Sequence, residues 1–453
     1  MIKKLVILAA GNGTKMWPYN EVRNKTMIPI ATKPVLAHNV DSAIKLGIDN
    51  ITIVTGKFNH EVDNYFSKYS NVKCVNAANS PSSVDSLLAA ETVLSDTDDF
   101  VVLYGDTIID EKDLKAIFDS ESNTVLLSKL KETTRNYIGA KIADDCIDSI
   151  VGHSREDMTH FFAGFHFNKE VWNFLKNTDD IMRDLEVGMM APVERFIEAT
   201  VSDMRRAGIK MKAIETQEAF YDIDKPWHIL EANGGVVEKL CGQLTKNELA
   251  EGASIDDTAD LRGFVKLGKN SKIGRNVIVE GNLIVGDDTV IDNGAMILPN
   301  VIIANNVFVG YSCFISEGSS INDECFIGHA SEFWGVLMKR VYLYHYMEMF
   351  GVIGENTDIG AGTVCGTLRF DDGETPHRVK GRKEIPHGES NAIFLGDFSR
   401  TGVYAILMPG VKTGANSLVG PGVILSKDLP SRKVVFAKQE QVIRDWGPEH
   451  YGW

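Results

Sequence analysis

Cysteine is sparse and scattered. The six thiols (Cys74, Cys146, Cys241, Cys313, Cys325 and Cys365) include no Cys-x-x-Cys pair. That argues against a thiolate metal site, a dithiol redox centre or a disulfide framework, and a reducing cytoplasm is the expected compartment. Proline is scarce too, at 13 of 453 residues, so the chain does not carry the Pro/Gly-rich composition of a disordered protein. Basic charge is in deficit: 47 Lys and Arg against 62 Asp and Glu give a formal net charge of −15. Neither nucleic acid nor an anionic membrane is expected as a partner, since both need a basic face. Small anionic substrates need only a local basic pocket. No apolar run approaches the roughly eighteen residues of a membrane span. The opening residues, Met1 to Gly13, are basic and then apolar like a signal peptide, but they end in Gly-Asn-Gly-Thr rather than a cleavage site. They read as a first buried strand.

Glycine, by contrast, is abundant and uneven. Of 40 glycines, 13 lie in residues 1–251 and 24 in residues 253–437. The second region also has a period of six. Aliphatic or aromatic residues recur at Ile255, Leu261, Leu267, Ile273, Val279, Val285, Ile291, Ile297, Ile303, Val309, Ile315, Ile321, Ile327 and Phe333. The register resumes at Ile353 and Ile359, and again from Leu395. Small or β-branched residues follow four positions later, as at Thr289, Ala295 and Ser319. Such a period fits neither an α-helix nor an alternating strand. It predicts a left-handed parallel β-helix, with the periodic residue inward and glycine at corners of positive φ. Two stretches, 334–352 and 366–392, break the period and are expected to leave the coil as loops.

The first half alternates strand-like runs (2–8, 50–55, 72–75, 100–104) with helical patterns (34–46, 59–69, 84–94, 112–118). This predicts an open, mixed α/β sheet of Rossmann-like form, with ligands at the carboxyl ends of its strands. The expected limits are an α/β domain over 1–235, a linker helix over 236–252, the β-helix over 253–437 and a tail over 438–453.

The first strand ends in Leu8-Ala9-Ala10-Gly11-Asn12-Gly13-Thr14-Lys15. Gly11 and Gly13 let backbone amides approach a phosphate. The P-loop pattern and the third glycine of the dinucleotide fingerprint are both absent. Lys15, Lys25 and Lys33 add cations beyond the loop. Acidic candidates are Asp106, in Tyr104-Gly105-Asp106, and Asp222 and Asp224, in Tyr221-Asp222-Ile223-Asp224. Asp at such places is often a turn or capping residue; the alternative is magnesium held by one or two carboxylates and substrate phosphates.

These segments resemble the sugar-1-phosphate nucleotidylyltransferases. With the β-helix attached, nearly the whole chain resembles the bifunctional N-acetylglucosamine-1-phosphate uridylyltransferase/glucosamine-1-phosphate acetyltransferase family in its archaeal-type form. The resemblance implies attack of a sugar-1-phosphate oxygen on the α-phosphorus of a nucleoside triphosphate, UTP or dTTP, with loss of pyrophosphate. It implies Mg2+ on Asp106 and Asp222, with Asp224 as substitute. Lys15 and Lys25 would act on the phosphates, and Leu8, Ala10, Gly11, Gly13, Ser82 and Ser83 would bind nucleotide. Tyr104 and Gly139 would bind the sugar phosphate. The chain departs from the family at Lys15 (arginine there), at Ser82-Ser83 (Gly-Thr), at Gly152-His153 (Glu-Lys) and at Phe162 (Asn).

In the second half, Gly328-His329-Ala330-Ser331-Glu332 and Gly360-Ala361-Gly362-Thr363 match the family. The resemblance implies acetyl-CoA as acyl donor and His345 as the base that deprotonates a sugar amine. Arg369 and Lys380 would bind the sugar phosphate, and Ser399 and Ala405 would line the acetyl-CoA groove. Thr367 replaces the family's Asn. The tail, with Trp446 and Trp453, is expected to pack on a neighbour or the last coil. A homotrimer is implied. Two rival readings stay open: an acyltransferase with a regulatory first domain, and a non-catalytic scaffold subunit.

Overall fold

The computed structural model describes residues 4–77, 80–94, 99–130, 137–152, 158–180 and 194–451. His153 and Trp453 lie outside the described residues. The first half folds around one nine-stranded sheet. Its order is Val72–Asn76, Asn50–Thr55, Lys4–Ala9, Asp99–Tyr104, His160–Asn168, Thr124–Lys129, Lys212–Glu215, Cys146–Gly152 and Ile138–Ala143. The four strands on the side of Lys4–Ala9 are parallel, and His160–Asn168 runs antiparallel to both its neighbours. The sheet is therefore mixed. Apolar side chains bury on both of its faces, as expected where helices cover a parallel sheet.

Helices fall at Val35–Lys45, Asn59–Phe66, Ser83–Ala89, Glu91–Leu94 and Glu111–Asp119, close to the periodic patterns. The last helix of the first half differs from the expected linker. It spans Pro226–Cys241, with proline in its first turn, and the coil begins already at Glu248–Leu249. One face of this helix, including Ile229, Ala232, Val236 and Val237, is buried in the same core as the coil. It is a wall between the halves rather than a free linker.

The second half is a parallel β-helix. In the regular coils a strand pairs with one 18 residues later, as in Val290↔Phe308 and Ile291↔Val309. The periodic residues point inward: Val279, Ile291, Ile297, Val309, Ile315, Ile321 and Ile327 are fully buried. So are the small residues Thr289, Ala295 and Ser319.

Two expectations are corrected here. Stretch 334–352 does not leave the coil. Strands Glu332–Leu337 and Glu348–Ile353 each run through a corner, and their register, Glu332↔Glu348, is 16 residues instead of 18. Gly335 and Gly351 make this tight corner, at φ +126 and +143. Stretch 366–392 does leave it, as an excursion carrying the hairpin His377–Val379/Arg382–Glu384.

The second correction concerns part of the glycine: Gly294, Gly318, Gly362 and Gly422 do sit at positive φ, but others do not. Gly268, Gly286 and Gly328 are not at positive φ. A Cβ there would lie 2.4, 2.8 and 1.3 Å from backbone of the next coil. Close coil-to-coil approach is what excludes a side chain. Many positive-φ corners are instead taken by Asn and Asp, as at Asn270, Asn276, Asp288 and Asn306, which tolerate that region. Residues 438–447 form no regular structure, and Val442 and Ile443 are 80 and 93% exposed.

Candidate active sites

Strand Lys4–Ala9 delivers the glycine loop to the carboxyl edge of the sheet. Leu8 and Ala10 are buried, while Gly11 and Asn12 are exposed. Gly13 sits at φ +57 against the Lys25 side chain, which explains a glycine there. The neighbouring strand Asp99–Tyr104 ends at the same edge. The Gly105 amide donates to the Leu8 carbonyl (2.8 Å), and a Cβ on Gly105 would meet that oxygen at 2.8 Å. Asp106 is thereby set beside the loop.

A short strand pair, Thr107–Ile108 with Tyr221–Asp222, brings in the second acidic segment, and the Ile223 amide donates to the Asp106 carbonyl (2.8 Å). Three carboxylates and two ammonium groups converge here from three separate segments of the chain. Lys25 pairs with Asp106, and Lys15 pairs with Asp224 at 2.8 Å. Burial pushes the Asp222 carboxyl up to about 8, reinforced by the Asp106 and Asp224 charges. Burial acts the same way on Asp224, but Lys15 and Lys25 outweigh it and hold that carboxyl down at about 2. Burial opposes the charge of Lys25; Asp106, Asp224 and Asp222 overcome it and raise its pKa. With Asp222 ionised, the cluster would carry one negative charge more than its two lysines neutralise, and the raised pKa of Asp222 reflects that cost. Oxygen donors with an excess of negative charge suit a hard divalent cation. Among the described residues no three such side chains form a ready-made metal cage; a cation that keeps waters and substrate phosphates as ligands does not need one.

Other predicted residues are committed elsewhere. Ser82 caps helix Ser83–Ala89, accepting from the Asp85 amide (3.1 Å), and Ser83 accepts from the Ile197 amide (3.2 Å). The Tyr104 hydroxyl donates to buried Glu198 at 2.6 Å. Lys33 pairs with Asp41 at 2.6 Å. Gly139 is exacting for packing: a Cβ there would lie 2.5 Å from Met158. Phe162 stacks on Phe165 in the core (5.6 Å), so this departure from the family is a packing residue.

In the β-helix, His345 lies at a corner and stacks on His329 (centroids 5.0 Å, 11° between planes). His329 stacks in turn on Tyr311 at 4.9 Å. The 366–392 excursion leaves one coil later, after strand Val364–Cys365, which stacks on the side that follows His345 (Glu348↔Val364). One side of the coil thus separates His345 from the loop that carries Arg369 and Lys380. Arg369 forks onto Asp371 (2.8 and 2.7 Å), and Lys380 is exposed at the hairpin turn. Ser399 and Ala405 are buried inside the coil, with the Ser399 hydroxyl donating to the Gly414 carbonyl (3.1 Å). Only their backbone could face a groove.

Sequence reasoning missed the residues that fasten the first site to the coil: Arg23, Lys225, Glu384, Asp397 and Lys412. Each has its partner in a distant segment. Arg23 and Asp397 are 374 positions apart, and nothing local marks such a pair.

Comparison with known proteins agrees with both halves. The nucleotidyl transferase family matches residues 4–129, and the bacterial transferase hexapeptide repeat (six repeats) matches residues 282–317. Over 443 residues the chain is 30% identical to a bifunctional protein GlmU of Methanococcus maripaludis, covering 97% of this chain and 98% of that one. It is 28% identical to the GlmU of Methanococcus vannielii over 449 residues, covering 97% and 99%. It is 26% identical to a bifunctional sugar-1-phosphate nucleotidylyltransferase/acetyltransferase of Sulfurisphaera tokodaii, covering 94% and 98%. No helix among the described residues is long and apolar enough to cross a membrane. The chain belongs to the family of bifunctional GlmU proteins, sugar-1-phosphate nucleotidyltransferases that carry an acetyltransferase domain.

Proposed function

We propose that this chain makes an activated N-acetylated amino sugar of the UDP-N-acetylglucosamine type, with acetyl transfer in the β-helix and nucleotidyl transfer in the α/β half. The carrying observation is the cluster of Asp106, Asp222, Asp224, Lys15 and Lys25 around the glycine loop. Loop amides and the two lysines orient the triphosphate of UTP or dTTP. The sugar-1-phosphate oxygen is already ionised, so positioning and charge neutralisation are the chemistry required. Asp106 and Asp222, with Asp224 in reserve, would hold Mg2+, which supplies charge neutralisation at the phosphates. Burial of Asp222 beside two carboxylates supports that assignment. The domain limits that fit this reading are an α/β unit through Cys241 and a coil from Glu248.

In the second half, His345 takes the proton of the sugar amine as that amine attacks the acetyl-CoA thioester. The corner that holds His345 and the loop that holds Lys380 are at opposite edges of one face of the coil, which favours sites completed between subunits of a homotrimer. Exposed apolar groups at Val442 and Ile443 support a surface that another subunit covers. A second reading draws on Ser82 and Phe162, whose side chains are engaged in a cap and in the core: a nucleotide-binding regulatory domain on an acyltransferase. Pyrophosphate release with UTP and dTTP across a panel of sugar-1-phosphates separates the two. Turnover supports the first, and nucleotide binding without turnover supports the second.

A further inference from the structure

Three segments build the cluster, and two of them are fastened to the β-helix. The first is the run that follows the glycine loop. Tyr19 is fully buried and donates to the Val352 carbonyl at 2.7 Å. Glu21 accepts from the Ala415 amide (3.4 Å) and from the Ser431 hydroxyl. Arg23 reaches Glu355 (3.2 Å) and the fully buried Asp397, and Asp397 also accepts from the Glu355 amide at 2.6 Å. The Lys412 ammonium lies 6.0 Å from the Trp17 ring centre.

The second segment carries Asp222 and Asp224. The next residue, Lys225, is almost wholly buried and pairs with Glu384 of the 366–392 hairpin at 2.7 Å. Trp227 packs on His377 of the same hairpin, with centroids 5.2 Å apart. His377 is held in turn by the Ser390 carbonyl (2.7 Å) and Lys412 (3.2 Å). Each arm of the first site therefore ends in a buried ion pair whose acid belongs to the other half of the chain.

Buried ion pairs are costly to form and costly to break, and their best-attested use is to fix one arrangement. We infer that Glu384 and Asp397 are positioning residues for nucleotidyl transfer, although they lie in the acetyltransferase half. The inference rests on the assignment of Asp106, Asp222 and Asp224 as the phosphate and cation cluster. Asp397 acts through Arg23 on the glycine loop. Glu384 acts through Lys225, whose charge it neutralises one residue from Asp224.

The sign of that second effect gives the test. In the full-length chain, Glu384→Gln leaves an unneutralised ammonium beside the carboxylates, so binding of Mn2+, a hard-cation probe, weakens severalfold by paramagnetic resonance. Lys225→Met removes the ammonium and strengthens it. The double variant returns toward the parent. Equal or same-direction shifts in the two single variants overturn the inference. For the other arm, Arg23→Lys keeps the charge but draws it back on a shorter side chain from the point where one guanidinium nitrogen meets both Glu355 and Asp397. It is expected to lower kcat for pyrophosphate release about tenfold, with KM for UTP less affected. Thiol release from acetyl-CoA and the melting temperature should stay near the parent's. A parallel fall in both activities would mean that Arg23 only holds the fold. If the parent itself releases no pyrophosphate, the nucleotidyl-transfer assignment fails, while the Mn2+ series still decides the inference.

Discussion

Lowering the pH should loosen the junction through His377. This side chain is 1% exposed, between Trp227 and Phe394, with Lys412 and Asp428 as its charged neighbours. Burial, then the Lys412 charge, lowers its pKa from 6.5 to about 4. The folded chain thus keeps His377 neutral where the unfolded chain protonates it. Because the unfolded state binds the extra proton, stability is full above about 6.5 and is lost as pH falls toward 4. At pH 5 the linkage amounts to about 2 kcal/mol from this one group. His377→Gln keeps a neutral donor for the Ser390 carbonyl and removes the titration. Guanidinium unfolding at pH 7 and pH 5, followed by tryptophan fluorescence, reads the difference. The parent should lose about 2 kcal/mol more than the variant over that interval. Identical losses would refute the claim that His377 is buried uncharged at the junction.

Three further outcomes follow from the geometry. Asp106→Asn removes a cluster carboxylate and frees Lys25, and pyrophosphate release should fall about a hundredfold or more with thiol release unchanged. His345→Ala should abolish thiol release from acetyl-CoA with glucosamine-1-phosphate while pyrophosphate release persists. Gly351→Ala should lower the melting temperature markedly, since φ is +143 and the added Cβ would lie 2.0 Å from the Ile393 carbonyl oxygen. A cost of about 3 kcal/mol fits such strain, and an unchanged melting curve would contradict the tight-corner description.

The β-helix was legible because its cause repeats. One inward aliphatic per side, from Ile255 to Phe333, writes the same packing constraint every six residues. The shortened corner was not legible: dropping two residues at Gly335 destroys the period while leaving the coil intact, so it reads as a loop. Some of the glycine was misread for a related reason. Gly328 is excluded from bearing a side chain by Tyr344 on the next coil, a contact with no trace in local sequence. At the first site, residues placed by strand ends, such as Asp106 and Gly11, were legible because a strand end is a local signal. The partners of Ser82 and Tyr104 were not, because Asp85 meets Ser82 through a helix cap and Glu198 meets Tyr104 from a distant helix.

The most direct test of the account is to give one preparation both reactions. Glucosamine-1-phosphate, acetyl-CoA, UTP and Mg2+ are supplied together, and thiol, pyrophosphate and nucleotide sugar are followed. The account predicts that all three appear, that Asp106→Asn stops only the last two, and that His345→Ala stops thiol release. Thiol release without pyrophosphate, for every nucleotide and sugar phosphate tried, would contradict it.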